Sequence, residues 1–130
     1  MPDSLKPHLR WSQITDAPLA GLDFAREAGL ILAWDDAHNL YVIDSAGNRV
    51  RSTRTPVPLL AATISDDGSQ IIAASKDGDI WWLGKGLEPR LHQGTHRHLL
   101  GIAVSPQGEY LAASLNDNHT YIYDCLGRRV

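Results

Sequence analysis

LLGIAVSPQGEYLAASLNDNHTYIY, residues Leu99–Tyr123, reads as strand, tight turn, strand, loop, strand. Its apolar runs are short, and they are bounded by Ser-Pro-Gln-Gly and Asn-Asp-Asn-His, which are turn and loop signals. The same order of residue types stands 40 residues earlier in LLAATISDDGSQIIAASKDGDIWWL, Leu59–Leu83. A more divergent copy precedes that by another 40, LAGLDFAREAGLILAWDDAHNLYVI, Leu19–Ile43. The register holds without a gap: Phe24, Ile64 and Val104 match, as do Ala33, Ala73 and Ala113, and Tyr41, Trp81 and Tyr121. Self-similarity at this period means stacked supersecondary units, none of which buries its faces alone.

Each unit predicts an antiparallel sheet of up to four strands. In unit 1 the strands fall at Leu22–Phe24, Leu30–Trp34, Leu40–Ile43 and Arg49–Arg54; in unit 2 at Leu60–Ile64, Gln70–Ala74, Ile80–Leu83 and Pro89–Gln93. Unit 3 supplies Gly101–Val104, Tyr110–Ala113 and Thr120–Tyr123, and ends at Val130 before a fourth. Gly68 and Gly108 close type I turns between first and second strands. Residues 1–7 are polar with two prolines and are expected to be a loose tail. Leu9–Ile14 is expected to be a short strand of its own. The expected domains are therefore 1–7, an outer strand at 8–14, and blades at 19–58, 59–98 and 99–130.

The inner strands are apolar on both faces (QIIAA, YLAAS, IWWL), whereas a sheet with one wet face alternates. Small residues such as Ala73 and Ala113 oppose large ones such as Trp81 and Trp82. Face-to-face packing of twisted sheets around an axis needs this arrangement. With its "IAVS" strand, "SPxG" or "SDDG" turn, "LAAS" strand, "KDGDI" loop and closing "YIYD", the chain resembles a WD40-like β-propeller from residue 8 onward. The family's Trp-Asp pair appears here as Ile43-Asp44, Leu83-Gly84 and Tyr123-Asp124, and no Gly-His pair precedes the first strands. The resemblance implies an all-β fold, and it places Asp77 at the family's structural aspartate, with Ala37 and Asp117 as its counterparts. Asp77, Gly68, Gly108 and Trp82 are thus expected to be structural.

Three blades fall short of the roughly four to eight that close a propeller. The N-terminal strand matches the missing fourth strand of a blade, since Arg10 aligns with Val50 and Arg90. The expectation is a half-propeller: two copies exchange N-terminal strands and form a six-bladed homodimer, hiding open edges and apolar faces. The competing arrangement is a fragment of a longer propeller with no function of its own.

The formal charge is −3 and no basic surface is concentrated, which speaks against nucleic acid. The run Arg49, Arg51, Arg54 reads as a solvated edge strand. Met1–Arg10 lacks the apolar core of a secretory signal and no segment is long enough to span a bilayer, so a cytoplasmic protein is expected. Cys125 is the lone cysteine. The six histidines lack the spacing of a zinc site. Serines 65, 75, 105 and 114 lack a nucleophile elbow, and Gly84-Lys85-Gly86 is not a phosphate loop. No cofactor, metal or catalytic residue is assigned, and the chain is read as a non-enzyme. Trp81 and Trp82 are expected in the core, Trp11 and Trp34 partly exposed, and Asp35-Asp36 in a loop near the channel.

What the resemblance implies is a protein-interaction scaffold that binds a peptide or protein surface. The face bearing the strand 2–3 and strand 4–1 loops offers His38, Asn39, Lys76, Arg97, Asn116 and His119. The alternative is a small-ligand or enzymatic propeller working at the axial channel, but the three 2–3 loops differ and show no repeated ligand set.

Overall fold

The computed structural model describes residues 9–130, and among these it contains strands and turns but no helix. Blade 1 is the sheet β1 (Leu19–Ala25), β2 (Leu30–Asp35), β3 (Asn39–Asp44) and β4 (Arg49–Arg54), in that spatial order. Blade 2 repeats it with β5 (Leu59–Ile64), β6 (Ile71–Ser75), β7 (Asp79–Leu83) and β8 (Pro89–Gly94). Blade 3 has β9 (Leu99–Val104), β10 (Tyr110–Leu115) and β11 (Thr120–Asp124). All pairings are antiparallel. The first strands lie side by side, β1 against β5 and β5 against β9, so the blades fan out from them.

The repeat register explains which face each residue takes. Leu32, Trp34, Leu40 and Val42 of blade 1 pack against Ile64, Ile71, Ala73 and Leu83 of blade 2. The opposite face of blade 2, with Ile72, Ala74, Ile80 and Trp82, packs against Leu111, Ala113, Leu115 and Tyr123 of blade 3. Trp82 meets Tyr123 edge to face with ring centroids 5.6 Å apart, a preferred aromatic geometry. Burial of a side chain of this kind is worth about 1.5–3 kcal/mol, so the inter-blade gaps, not the single sheets, hold the fold together. β4 and β8 are mostly exposed, as befits the outer rim.

The turns opposite the 2–3 loops tie successive blades. Gly68 and Gly108 adopt φ of +77° and +74°, and their N–H groups donate to Ser65 and Ser105 carbonyls at 2.8 and 2.9 Å. A side chain at either glycine is excluded twice, by the left-handed backbone and by Ala28 or Gln70 of the preceding blade. Ala28 N–H donates to the Asp66 carbonyl at 3.0 Å and Asp67 N–H to the Pro106 carbonyl at 3.2 Å, continuing the tie around the fan.

Within the single chain Leu9–Ile14 pairs with no strand among the described residues. It is held instead by side chains on the β3–β4 turn, with Trp11 Nε1 donating to the Ser45 carbonyl at 3.1 Å and Gln13 Nε2 to the Gly47 carbonyl. Arg49 donates back to the Ile14 carbonyl at 3.0 Å. Trp34 is buried rather than partly exposed, because it faces blade 2 and its ring lies where a Cβ on Gly21 would stand. The expected tail, residues 1–7, lies outside the described residues.

Candidate functional site

The 2–3 turns and the connectors from one blade to the next share one face. Thr55 N–H donates to the His38 carbonyl at 2.7 Å, and Thr95 N–H to the Gly78 carbonyl at 2.9 Å. Leu99 N–H donates to the Lys76 carbonyl and Asn116 N–H to the His98 carbonyl, both at 3.0 Å. These bonds pin each connector to the turns of its own and the next blade. His38, Gly78 and Asn118 occupy equivalent positions and all have positive φ, 69°, 105° and 70°. Histidine and asparagine tolerate this region better than bulkier residues, so all three turns keep one shape.

Of the residues expected at this face, the structure brings Arg97 and His119 together on Asp117. Arg97 Nε lies 3.4 Å from Asp117 Oδ2, and His119 Nδ1 lies 3.1 Å from Oδ1. Burial works to raise the Asp117 pKa, but bonds from the His119 backbone and ring, with the charges of His119 and Arg97, hold it below the ordinary aspartate value. Lys76 and Asn116 are exposed on the same face, and His38 is half-buried. Asn39 is turned inward: its Nδ2 donates to Asp35 Oδ2 at 2.9 Å.

Sequence reasoning missed Asp35. It is not a channel carboxylate but a buried hub, 3% exposed, that accepts from the Ala37 and Asn39 N–H groups, the Asn39 amide and the Tyr41 hydroxyl at 2.8 Å. Burial alone raises its pKa; the bonds from Asn39, Tyr41 and Ala37 outweigh that and leave it lowered. Tyr41 is shifted up, by burial first and by the bond to Asp35 second. The signal was present as an Asp with an Asn four residues and a Tyr six residues later, a set that closes a turn on itself.

In the 2–3 turn of blade 2 the carboxylate with side-chain partners is Asp79. Asp77 is exposed on its turn. Asp79 N–H donates to the Ser75 hydroxyl at 3.2 Å, and its Oδ1 lies 2.9 Å from His92 Nε2. Ser75, Asp79 and His92 are the residue types of a hydrolase triad in the wrong order. The carboxylate stands between the other two, so the serine donates to Asp79, 3.5 Å away, and no base is bonded to it. Among the described residues no group of three or more His, Cys, Asp or Glu is placed to hold a metal ion. No helix of the described residues is long and apolar enough to cross a membrane.

The blade geometry has clear parallels among solved structures. The chain is similar to the structure titled "Crystal structure of RRP9 WD40 repeats", with TM-score 0.78 and 12% identity over 91% of this chain and 39% of that one. It is equally similar to "Structure of U3-55K", with TM-score 0.79, 12% identity and the same coverage. The fold is that of WD40 propeller blades. No family model matches the sequence, and no curated protein matches it. The chain spans 39% of the length of each of these two structures. In WD40 terms, Asp44 and Asp124 stand at the aspartate of the missing Trp-Asp pair. Each accepts N–H groups two and four residues on, within 3.0 Å. In blade 2 Gly84 takes that position, and the Glu88 carboxylate fills the space beside it.

Proposed function

We propose that the chain is a non-catalytic interaction scaffold that presents its loop face to a protein or peptide. The Arg97–Asp117–His119 cluster carries this reading: it sets a cation and an imidazole at fixed positions across the seam between blades 2 and 3. Lys76, Asn116 and His38 extend the face. Polar groups on loops held by a rigid sheet are the usual means of protein recognition. Affinity capture from the native cell with the wild-type chain and with the Arg97→Ala/His119→Ala double variant tests it. A protein retained by the first and lost by the second supports the face; identical captures overturn it.

The assembly we propose is a half-propeller that two copies complete to six blades. The outward face of blade 1 carries Leu22, Phe24, Ile31, Ala33, Tyr41 and Ile43, which match residues buried against a neighbouring blade in blades 2 and 3. Leu22 and Phe24 are 62% and 54% exposed in the single chain. Among the described residues the outer edge of β11 is paired only at the Tyr123–Arg129 bridge, which leaves room for Leu9–Ile14 of a second copy to exchange onto it. Light scattering after gel filtration reads the mass directly. Twice 14.3 kDa supports closure, and 14.3 kDa overturns it. A cytoplasmic location fits the single exposed thiol of Cys125.

A further inference from the structure

Each blade places an aromatic residue at the same point of its third strand: Tyr41, Trp81 and Tyr121. The register also matches the residue that opens the outer strand, since Arg49 pairs with Ile43, Pro89 with Leu83 and Arg129 with Tyr123. In blades 1 and 3 that residue is an arginine whose guanidinium lies over the tyrosine ring, 4.6 and 4.5 Å from its centroid. In blade 2 it is Pro89, which is too short to reach, and the Trp81 ring is stacked against His92 of β8 instead, with centroids 5.4 Å apart. The result is a groove of about 460 Å³ between the outer edges of blades 1 and 2. Its surface is almost wholly apolar, with Trp81, Ala73, Leu83, Leu87, Pro56 and Pro89 around it.

A second departure falls at the same place. Gly47 and Gly127 take positive φ in the third-to-fourth-strand turns of blades 1 and 3, and their counterpart in blade 2 is Leu87 at φ 65°. A leucine in the left-handed region is strained, and here its side chain is buried in the wall of the groove. A further hollow of about 380 Å³ lies between the same two blades, lined by Val42, Val50, Arg51 and Lys85. Arg51 and Thr53, which line the two hollows, are two residues apart on β4, about 7 Å along an extended chain. The Glu88 carboxylate stands beside Gly86 at the edge of this hollow, and no ion pair joins it to Arg51 or Lys85 among the described residues.

We propose that this groove binds an extended peptide segment of another protein, seating one aromatic side chain on Trp81 and placing a carboxylate two residues away between Arg51 and Lys85. An extended peptide repeats its side chains on one side at the spacing of Arg51 and Thr53, and the two cations of the second hollow, outnumbering the one Glu88 carboxylate at its edge, select acid over base. The site lies between the outer edges of blades 1 and 2, apart from the Arg97–Asp117–His119 cluster, and its fate is independent of ring closure.

The probe is a capped pentapeptide, Asp-Ser-Phe-Ser-Asp, which presents an acid two residues from the ring in either direction. Binding is followed by the indole N–H resonance of Trp81 in ¹⁵N-labelled full chain. The expected result is a saturable shift of this resonance, with affinity at least tenfold weaker for Asp-Ser-Ala-Ser-Asp and for Lys-Ser-Phe-Ser-Lys. Pro89→Arg restores the arginine found in the other two blades and is expected to abolish the shift. Arg51→Glu, an exposed change that leaves the core untouched, is expected to weaken binding at least tenfold and serves if the first variant misfolds. No shift at Trp81, or equal binding of the lysine peptide, overturns the proposal.

Discussion

The two ends of the three-blade fan are unlike. Blade 1 ends in Leu22, Phe24, Ile31, Ala33, Tyr41 and Ile43, with Trp11 packed against the outer part of that face. Blade 3 ends in Leu100, Gly101, Ala103, Ala112, Ser114, Thr120 and Ile122, which are small or polar except for Leu100 and Ile122. Between blades, both partners are apolar. The difference is one of size: blade 1 presents mostly large apolar side chains and blade 3 mostly small or polar ones. Docking one end onto the other sets large side chains against small ones, which favours interdigitation over two bulky faces colliding.

The largest effect is expected where the comparison has a closed reference. Trp82→Ala empties the gap between blades 2 and 3 and should cost about 3–5 kcal/mol in urea unfolding. Ile122, at the equivalent of Val42 and Trp82 but on the open face of blade 3, should cost less than about 1 kcal/mol as alanine in the single chain. A similar loss at both positions would mean that blade 3 is covered in solution.

Next in size is Asp35→Ala. It leaves the Tyr41 hydroxyl and the Asn39 amide without their acceptor behind the outward face of blade 1, and should cost about 2–3 kcal/mol by the same measurement. The acid dependence of stability follows from the same chemistry. Asp35, Asp44, Asp67, Asp117 and Asp124 all titrate below the ordinary aspartate value. Burial opposes the shift at Asp35 and Asp117, while at Asp44, Asp67 and Asp124 the backbone N–H groups of Asn48, Ser69 and Arg128 lead it. The unfolded chain then binds more protons than the folded one in mildly acidic solution, so stability rises with pH. It is complete above about pH 5 and is lost as pH falls through the lowered values. A urea midpoint that stays flat from pH 5 to pH 3 would refute this.

The smallest effect on a single chain is expected at Phe24→Ser. An exposed side chain should cost under about 0.5 kcal/mol in the monomer. In a closed ring the same change breaks the seam, so it should convert a dimer mass to a monomer mass while leaving dilute unfolding almost unaltered.

The fold was legible because the 40-residue period fixes strand order, face and turn at once: Gly68, Gly108 and the alternation of Ala73 with Trp81 needed no third dimension. Strand propensity at Leu9–Ile14 is local, while a strand's existence depends on a partner edge, and the single chain places none beside this segment among the described residues. The partners of Asp79 were not legible, because position in a motif does not say which carboxylate has donors, and only the geometry of Ser75 and His92 does. At the loop face, spacing alone put Arg97 and His119 on one side. Their convergence on Asp117 depends on how far connectors lean across neighbouring blades, which no periodicity records.

The 2–3 turns carry a consequence for folding. Repeats misassemble when equivalent strands trade places, since each fits its neighbour's slot nearly as well as its own. Here each second and third strand share a private lock: Asp35 with Asn39 and Tyr41, Ser75 with Asp79, and Asp117 with His119 after an apolar Leu115. Seating β7 beside β2 would present the Asp79 carboxylate to Asp35, two negative groups with no donor between them. Seating β3 beside β10 would bury Tyr41 with no acceptor at Leu115. Divergence among the copies thus works as a proofreading code, steering a chain of nearly interchangeable hairpins to one pairing.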